Sequence, residues 1–107
     1  MDTKVKQLTT QQLIDQGVAL QAAGAVDSAR DVFQRVLERE PRNAAAHYSL
    51  GAIESGAGNY LQALKHIKQV VAGHPKFALA HLALSIVMFH LGELEKAQLA
   101  AESAVAL

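Results

Sequence analysis

Shifted by 34 residues, the sequence lies over itself: GAVDSARDVFQRVLEREP from Gly24 falls on GNYLQALKHIKQVVAGHP from Gly58, and GELEKAQLAAESAVAL follows from Gly92. A repeat of this length is one supersecondary unit. It cannot bury its apolar face alone, so successive units stack and share a continuous core. The repeated columns have physical meanings. Gly24, Gly58 and Gly92 stand between two helical patterns, where a helix C-terminus calls for a left-handed residue. Gly17, Gly51 and Ser85 recur inside the first pattern of each unit, and Ala29, Ala63 and Ala97 inside the second. Small residues at matching depth let two helix backbones approach closely. Pro41 and Pro75 end the second helix of the first two units, and the chain stops before the third unit reaches its proline column.

The same logic accounts for an unpromising stretch, HYSLGAIESGAGNYLQAL from His47, which carries Gly51, Gly56 and Gly58. Each glycine in a helix interior costs roughly 1 kcal/mol relative to alanine. Yet Leu50, Ile53 and Ala57 keep the i, i+3, i+7 apolar spacing of a helix. Gly51 therefore trades helix propensity for close interhelical packing.

This pattern resembles the tetratricopeptide repeat family, a helix-turn-helix unit of 34 residues. Gly17, Ala29, Phe33 and Pro41 agree with the family signature in the first unit. Leu50, Gly51, Ala63 and Pro75 do so in the second, and Leu84, Ala97 and Ala104 in the third. His47 and His81 stand where the family often has a large aromatic, Leu13 does so in the first unit, and Ile67 and Ala101 replace an aromatic. The resemblance covers residues 10–107 without insertion or deletion. It implies an all-α solenoid of tetratricopeptide-type helical hairpins, three repeats along a right-handed superhelix. Residues 1–9 are then a polar leader, and 10–107 a single domain of repeats 10–43, 44–77 and 78–107.

Periodicity places the first helices near 10–23, 44–57 and 78–91, and the second near 27–39, 61–73 and 94–106. Thr9 with Gln12 reads as a capping box, and Asn43 caps in the same column one repeat later. Phe77, the third member of that column, cannot cap.

Nothing in the chain points to catalysis or to a resident cofactor. GxSxG, HExxH, GxGxxG and P-loop patterns are absent, and there is no cysteine to act as nucleophile, disulfide partner or thiolate ligand. Of the five histidines, His47 and His81 share a column on adjacent units, about 10 Å apart, too far to hold one metal ion. They read as packed histidines in place of aromatics, and no metal is expected. Ten Lys and Arg balance ten Asp and Glu, so net charge supplies no reason for a nucleic-acid or membrane partner. The N-terminus has no apolar signal core, and LALSIVMF is too short to span a bilayer; a cytoplasmic location is the default expectation.

Recognition of a protein or peptide remains, and the charge distribution qualifies it. Every Lys and Arg lies in the leader, where Lys4 and Lys6 stand, in a second helix or in a connection; the first helices have none. In the resembled family the first helices line the concave, peptide-binding face. The family's clamp for acidic chaperone tails needs cations and asparagine there, whereas the matching positions here are Ile14, Val18, Ala52, Leu79 and Ala83. That specificity is not expected to carry over. Helical spacing puts Ile14, Val18, Tyr48, Ala52, Leu79, Leu82, Ile86 and Phe89 in the groove, increasingly apolar toward the C-terminus. On the opposite stripe, Leu50, Gly51 and Glu54 are expected to face their own second helix.

The expected function is thus a non-enzymatic module binding a peptide or helix through apolar contacts. One alternative is the N-terminal region of a larger enzyme, such as a protein glycosyltransferase; another is a self-assembling scaffold. The first helix of the third unit, ALAHLALSIVMFHLG, is apolar nearly all round, and no polar capping helix follows it. A homodimer through the third repeat is the expectation for an isolated chain.

Overall fold

The computed structural model describes residues 7–107. Most of the leader, with Lys4 and Lys6, lies outside the described residues. The rest forms six helices: α1 (Thr10–Ala22), α2 (Val26–Arg39), α3 (Ala44–Gly56), α4 (Tyr60–Gly73), α5 (Ala78–His90) and α6 (Leu94–Ala106). There is no strand among the described residues. The helices pair as α1–α2, α3–α4 and α5–α6 and stack into an all-α solenoid measuring 62 × 25 × 19 Å. Its radius of gyration of 15.3 Å exceeds the about 13 Å of a globular domain of this length, because the units add along one direction.

Local chemistry sets the helix ends. Thr9 Oγ1 accepts from the Gln12 amide at 3.1 Å while Gln12 Oε1 accepts from the Thr9 amide at 2.8 Å, closing the capping box. Asn43 Oδ1 accepts from the Ala46 amide at 2.9 Å, and Phe77 makes no side-chain cap. Gly24, Gly58 and Gly92 adopt φ of +82°, +82° and +81°. Each closes the same two-bond C-terminal motif; around Gly24 the bonds run from the Gly24 amide to the Gln21 carbonyl and from Ala25 to Leu20.

Within each unit the two helices approach through complementary volumes. Gly17 faces Phe33, and a Cβ on Gly17 would lie 2.7 Å from Phe33 Cζ. Gly51 faces Ile67, where a Cβ would meet Cγ1 at 2.8 Å. In the third unit the column changes on both sides: Ser85 replaces glycine, Ala101 takes the place of Phe33 and Ile67, and Ser85 Oγ donates to the Ala97 carbonyl at 2.8 Å. Where the partner is large the facing residue has no side chain, and where it shrinks a hydroxyl fits.

Between units, α3 buries Ala46, Leu50 and Ile53 in a core shared with Leu13 of α1 and Ala29, Val32, Phe33 and Val36 of α2. Of Leu50, Gly51 and Glu54, then, Gly51 faces α4 as expected, and Glu54 accepts at 3.1 Å from Asn59, the N-cap residue of α4. Leu50 belongs instead to the core of the first unit, and Glu54 also reaches back to Arg30 of α2, its Oε2 3.3 Å from Nε and its Oε1 3.4 Å from Nη2. The reason is that α3 lies between α2 and α4, so one of its stripes meets the preceding unit.

Candidate functional site

An apolar groove lies between α3 and α5. Tyr48, Gly51, Ala52 and Ser55 come from α3, Leu79, Leu82, Ala83 and Ile86 from α5, and Ile67 of α4 lies beneath, enclosing about 240 Å³. Its floor follows from the packing of the second unit: Gly51 has no side chain, and buried Ile67 fills the space where its Cβ would stand, 2.8 Å from Cγ1. Leu79, Leu82 and Ile86 keep 53%, 47% and 47% of their surface exposed, a large apolar area to leave in water. No lining residue carries a charge at neutral pH. The polar atoms it offers are hydroxyls, those of Tyr48 and Ser55.

Five of the eight expected groove residues therefore meet in one depression: Tyr48, Ala52, Leu79, Leu82 and Ile86. The other three stand elsewhere. Ile14 is half-buried against the core of the first unit. Val18 is exposed but lines none of this cavity. Phe89, 61% exposed, borders a separate depression of about 440 Å³ between α5 and α6, with Ser85, Ile86, Leu94, Ala97 and Ala101.

Sequence reasoning missed Phe77. Its ring packs on Tyr48 at the groove edge, 5.4 Å between centroids and tilted by 51°. The signal was an aromatic in the column where Thr9 and Asn43 cap: a residue that cannot cap there must do something else.

The histidine column behaves as a structural tether. His47 Nε2 donates to the Pro41 carbonyl at 2.8 Å, and His81 Nε2 donates to the Pro75 carbonyl at 2.6 Å. Each pins a first helix to the connection that precedes it. A carbonyl only accepts, so His47 carries its proton on Nε2, and its Nδ1 accepts from Nδ1–H of His66, 3.0 Å away. Burial pushes the His66 pKa down, the neighbouring His47 adds to the shift, and Glu54 opposes it. For Glu54 itself burial works against ionisation, but hydrogen bonds from Asn59 and Arg30 and the Arg30 charge outweigh it and hold the carboxyl below its ordinary range. Among the described residues no group of three His, Cys, Asp or Glu could hold a metal ion, and no described helix is long and apolar enough to cross a membrane.

Two models of the tetratricopeptide repeat family match the chain, one over residues 14–55 and the other over 55–106. Protein CTR9 homolog of Arabidopsis thaliana is 32% identical over 88 residues, which are 79% of this chain and 8% of that protein. Among solved structures, MamA from Desulfovibrio magneticus RS-1 is 32% identical with a TM-score of 0.85, covering 92% of this chain and 55% of that one. The second repeat domain of Spaghetti (RPAP3), bound to the HSP90 peptide SRMEEVD, superposes with a TM-score of 0.87 at 18% identity, over 92% of this chain and 91% of that one. The chain thus spans about half of the MamA structure and a small fraction of the plant protein it matches.

Proposed function

The chain belongs to the tetratricopeptide repeat family, and from that premise we propose that it is a non-enzymatic interaction module holding an uncharged, apolar peptide or helix in the groove between α3 and α5. The observation that carries this reading is the groove lining. It combines half-exposed Leu79, Leu82 and Ile86 with Tyr48 and contains no residue charged at neutral pH. Apolar anchors at helical spacing suit a partner helix or extended segment that brings its own apolar side chains, with the Tyr48 and Ser55 hydroxyls free to take backbone groups. The peptide on the Spaghetti domain, SRMEEVD, is acidic. Here α1, α3 and α5 contain no lysine or arginine, so a tail of that kind finds no cation to desolvate against.

Peptides of about 12 residues selected from a random display library on the immobilised chain, then titrated calorimetrically, test the proposal. Selected sequences should be rich in Leu, Ile and Phe, bind with little dependence on salt, and lose binding to Leu82→Glu. Enrichment of acidic C-termini whose affinity collapses with added salt would overturn it.

A further inference from the structure

The second unit carries a polar contact in columns where the first unit is apolar. His47 of α3 and His66 of α4 meet through their Nδ1 atoms, 3.0 Å apart. The same columns hold Leu13 and Val32 in the first unit, and His81 and Ala100 in the third. Tethering a first helix does not require the second histidine, because His81 bonds the Pro75 carbonyl at 2.6 Å with alanine in the facing column. His66 therefore adds something to His47 beyond holding it in place. The ring centroids lie 5.3 Å apart, which is the Nδ1–Nδ1 distance plus about two ring radii, so the two nitrogens point straight at each other. That is the alignment of a shared proton.

The arrangement limits how many protons the pair can hold. With Nε2–H of His47 on the Pro41 carbonyl and Nδ1–H of His66 on His47, the neutral pair is complete. A further proton goes to Nε2 of His66 and puts a charge on a half-buried ring. One more has only Nδ1 of His47 to take it, and would set two N–H donors head on. Separated rings accept both protons without that conflict, so acid favours separation. The groups that act on His66 are His47 and Glu54, both on α3, and Arg30 of α2 is hydrogen-bonded to Glu54. Burial lowers the His66 pKa, His47 lowers it further, and Glu54 opposes them without prevailing. The closed pair is thus fully stable above about pH 6.5 and loses stability as pH falls through the folded-state value.

This contact adjoins the groove between α3 and α5. Gly51 follows His47 by one helical turn, Ile67 follows His66 directly, and these two residues meet as the next layer of the α3–α4 contact. Both line the groove, as does Tyr48, the residue after His47. We infer that the His47–His66 pair is a proton-operated clasp that holds the floor of this groove in its peptide-binding form near neutral pH and releases it in acid. The inference rests on the peptide-binding reading of the groove. Separating the rings shifts α3 against α4 beside the close contact of Gly51 with Ile67, and surfaces packed that tightly move between discrete arrangements rather than deforming smoothly.

Nuclear magnetic resonance titration of the unliganded chain from about pH 7.5 to 5, with calorimetric titration of a display-selected peptide free of His, Asp and Glu over the same range, tests the clasp. The Gly51 and Ala52 amides should move with the midpoint of the His66 ring. Peptide affinity should fall by up to about tenfold per pH unit below about pH 6.5, the effect of one linked proton. His66→Phe, checked for folding by circular dichroism, should bind as the parent does at pH 7.5 and lose the fall, whereas exposed His74→Gln should keep it. Affinity that is flat with pH in the parent, a fall that survives His66→Phe, or Gly51 and Ala52 amides indifferent to the His66 ring would each overturn the clasp. A chain that binds no peptide at any pH overturns the groove reading instead, and the amide titration then decides the clasp on its own.

Discussion

Gly17→Ala should destabilise the protein although it replaces the poorest ordinary helix former with the best. On propensity alone the change gains about 1 kcal/mol. Against this, the new Cβ would lie 2.7, 2.8 and 3.0 Å from Phe33 Cζ, Cε1 and Cε2. Phe33 is fully buried, between Leu13, Ala29 and the residues of α3, so its ring cannot swing clear. Overpacking of that kind costs about 1–3 kcal/mol, and three ring atoms met at once put this site at the upper end, for a net loss of about 1–2 kcal/mol. Phe33→Leu removes all three of those atoms. Alone it opens a cavity and costs about 1–2 kcal/mol, but in combination it makes room for the alanine. The double variant should be more stable than the sum of the singles by about 1 kcal/mol or more. Gly56→Ala is the internal control, because nothing lies within 4 Å of a Cβ there and the change should stabilise by up to about 1 kcal/mol. Urea unfolding followed by far-ultraviolet circular dichroism measures all four variants. If Gly17→Ala stabilises as Gly56→Ala does, or if the Gly17–Phe33 coupling is zero, the small-to-large complementarity claimed for each helical pair is wrong.

Two further outcomes follow from local chemistry. His66 has a folded-state pKa below its unfolded value of about 6.5, so the unfolded chain binds a proton that the folded chain refuses; stability should be complete above about pH 6.5 and decline as pH falls through the folded-state value. Denaturation midpoints between about pH 7.5 and 5 should show this slope, and His66→Phe should flatten it; an unchanged slope refutes the assignment. A separate loss below about pH 4.5 belongs to Glu54, whose pKa is lowered on folding. Asn43→Ala removes the only side-chain cap of α3 and should cost about 1 kcal/mol, while Phe77→Ala at the same column loses the Tyr48 contact but no cap. Urea midpoints of the two variants, with peptide titration of Phe77→Ala, separate the roles.

The helices were legible because their limits are set by neighbours in sequence. Gly24, Gly58 and Gly92 supply the left-handed turns, and Thr9 and Asn43 the caps, with bonds that span only a few residues. Repetition of these signals every 34 residues fixed the number of units. The small-residue column was also legible, since Gly51 makes sense only against a close neighbour. Which neighbour was another matter for the rest of α3. Glu54 meets Arg30 of α2, His47 meets His66 of α4 and the Pro41 carbonyl, and Leu50 joins the core of the first unit.

The same division separates the groove residues. Helical spacing puts Ile14, Tyr48, Leu82 and Phe89 on equivalent stripes of their helices, which is all that a period of 3.6 can state. Their environments diverge because each helix has different company. Ile14 leans into the first unit, Tyr48 and Leu82 share the cavity above Ile67, and Phe89 borders the depression between α5 and α6. The sequence by itself thus determined the repeat, the helices and the absence of cations from the first helices. Only the tertiary structure decided which apolar residues converge into a site, because convergence depends on how one unit tilts against the next, and no local backbone preference encodes that.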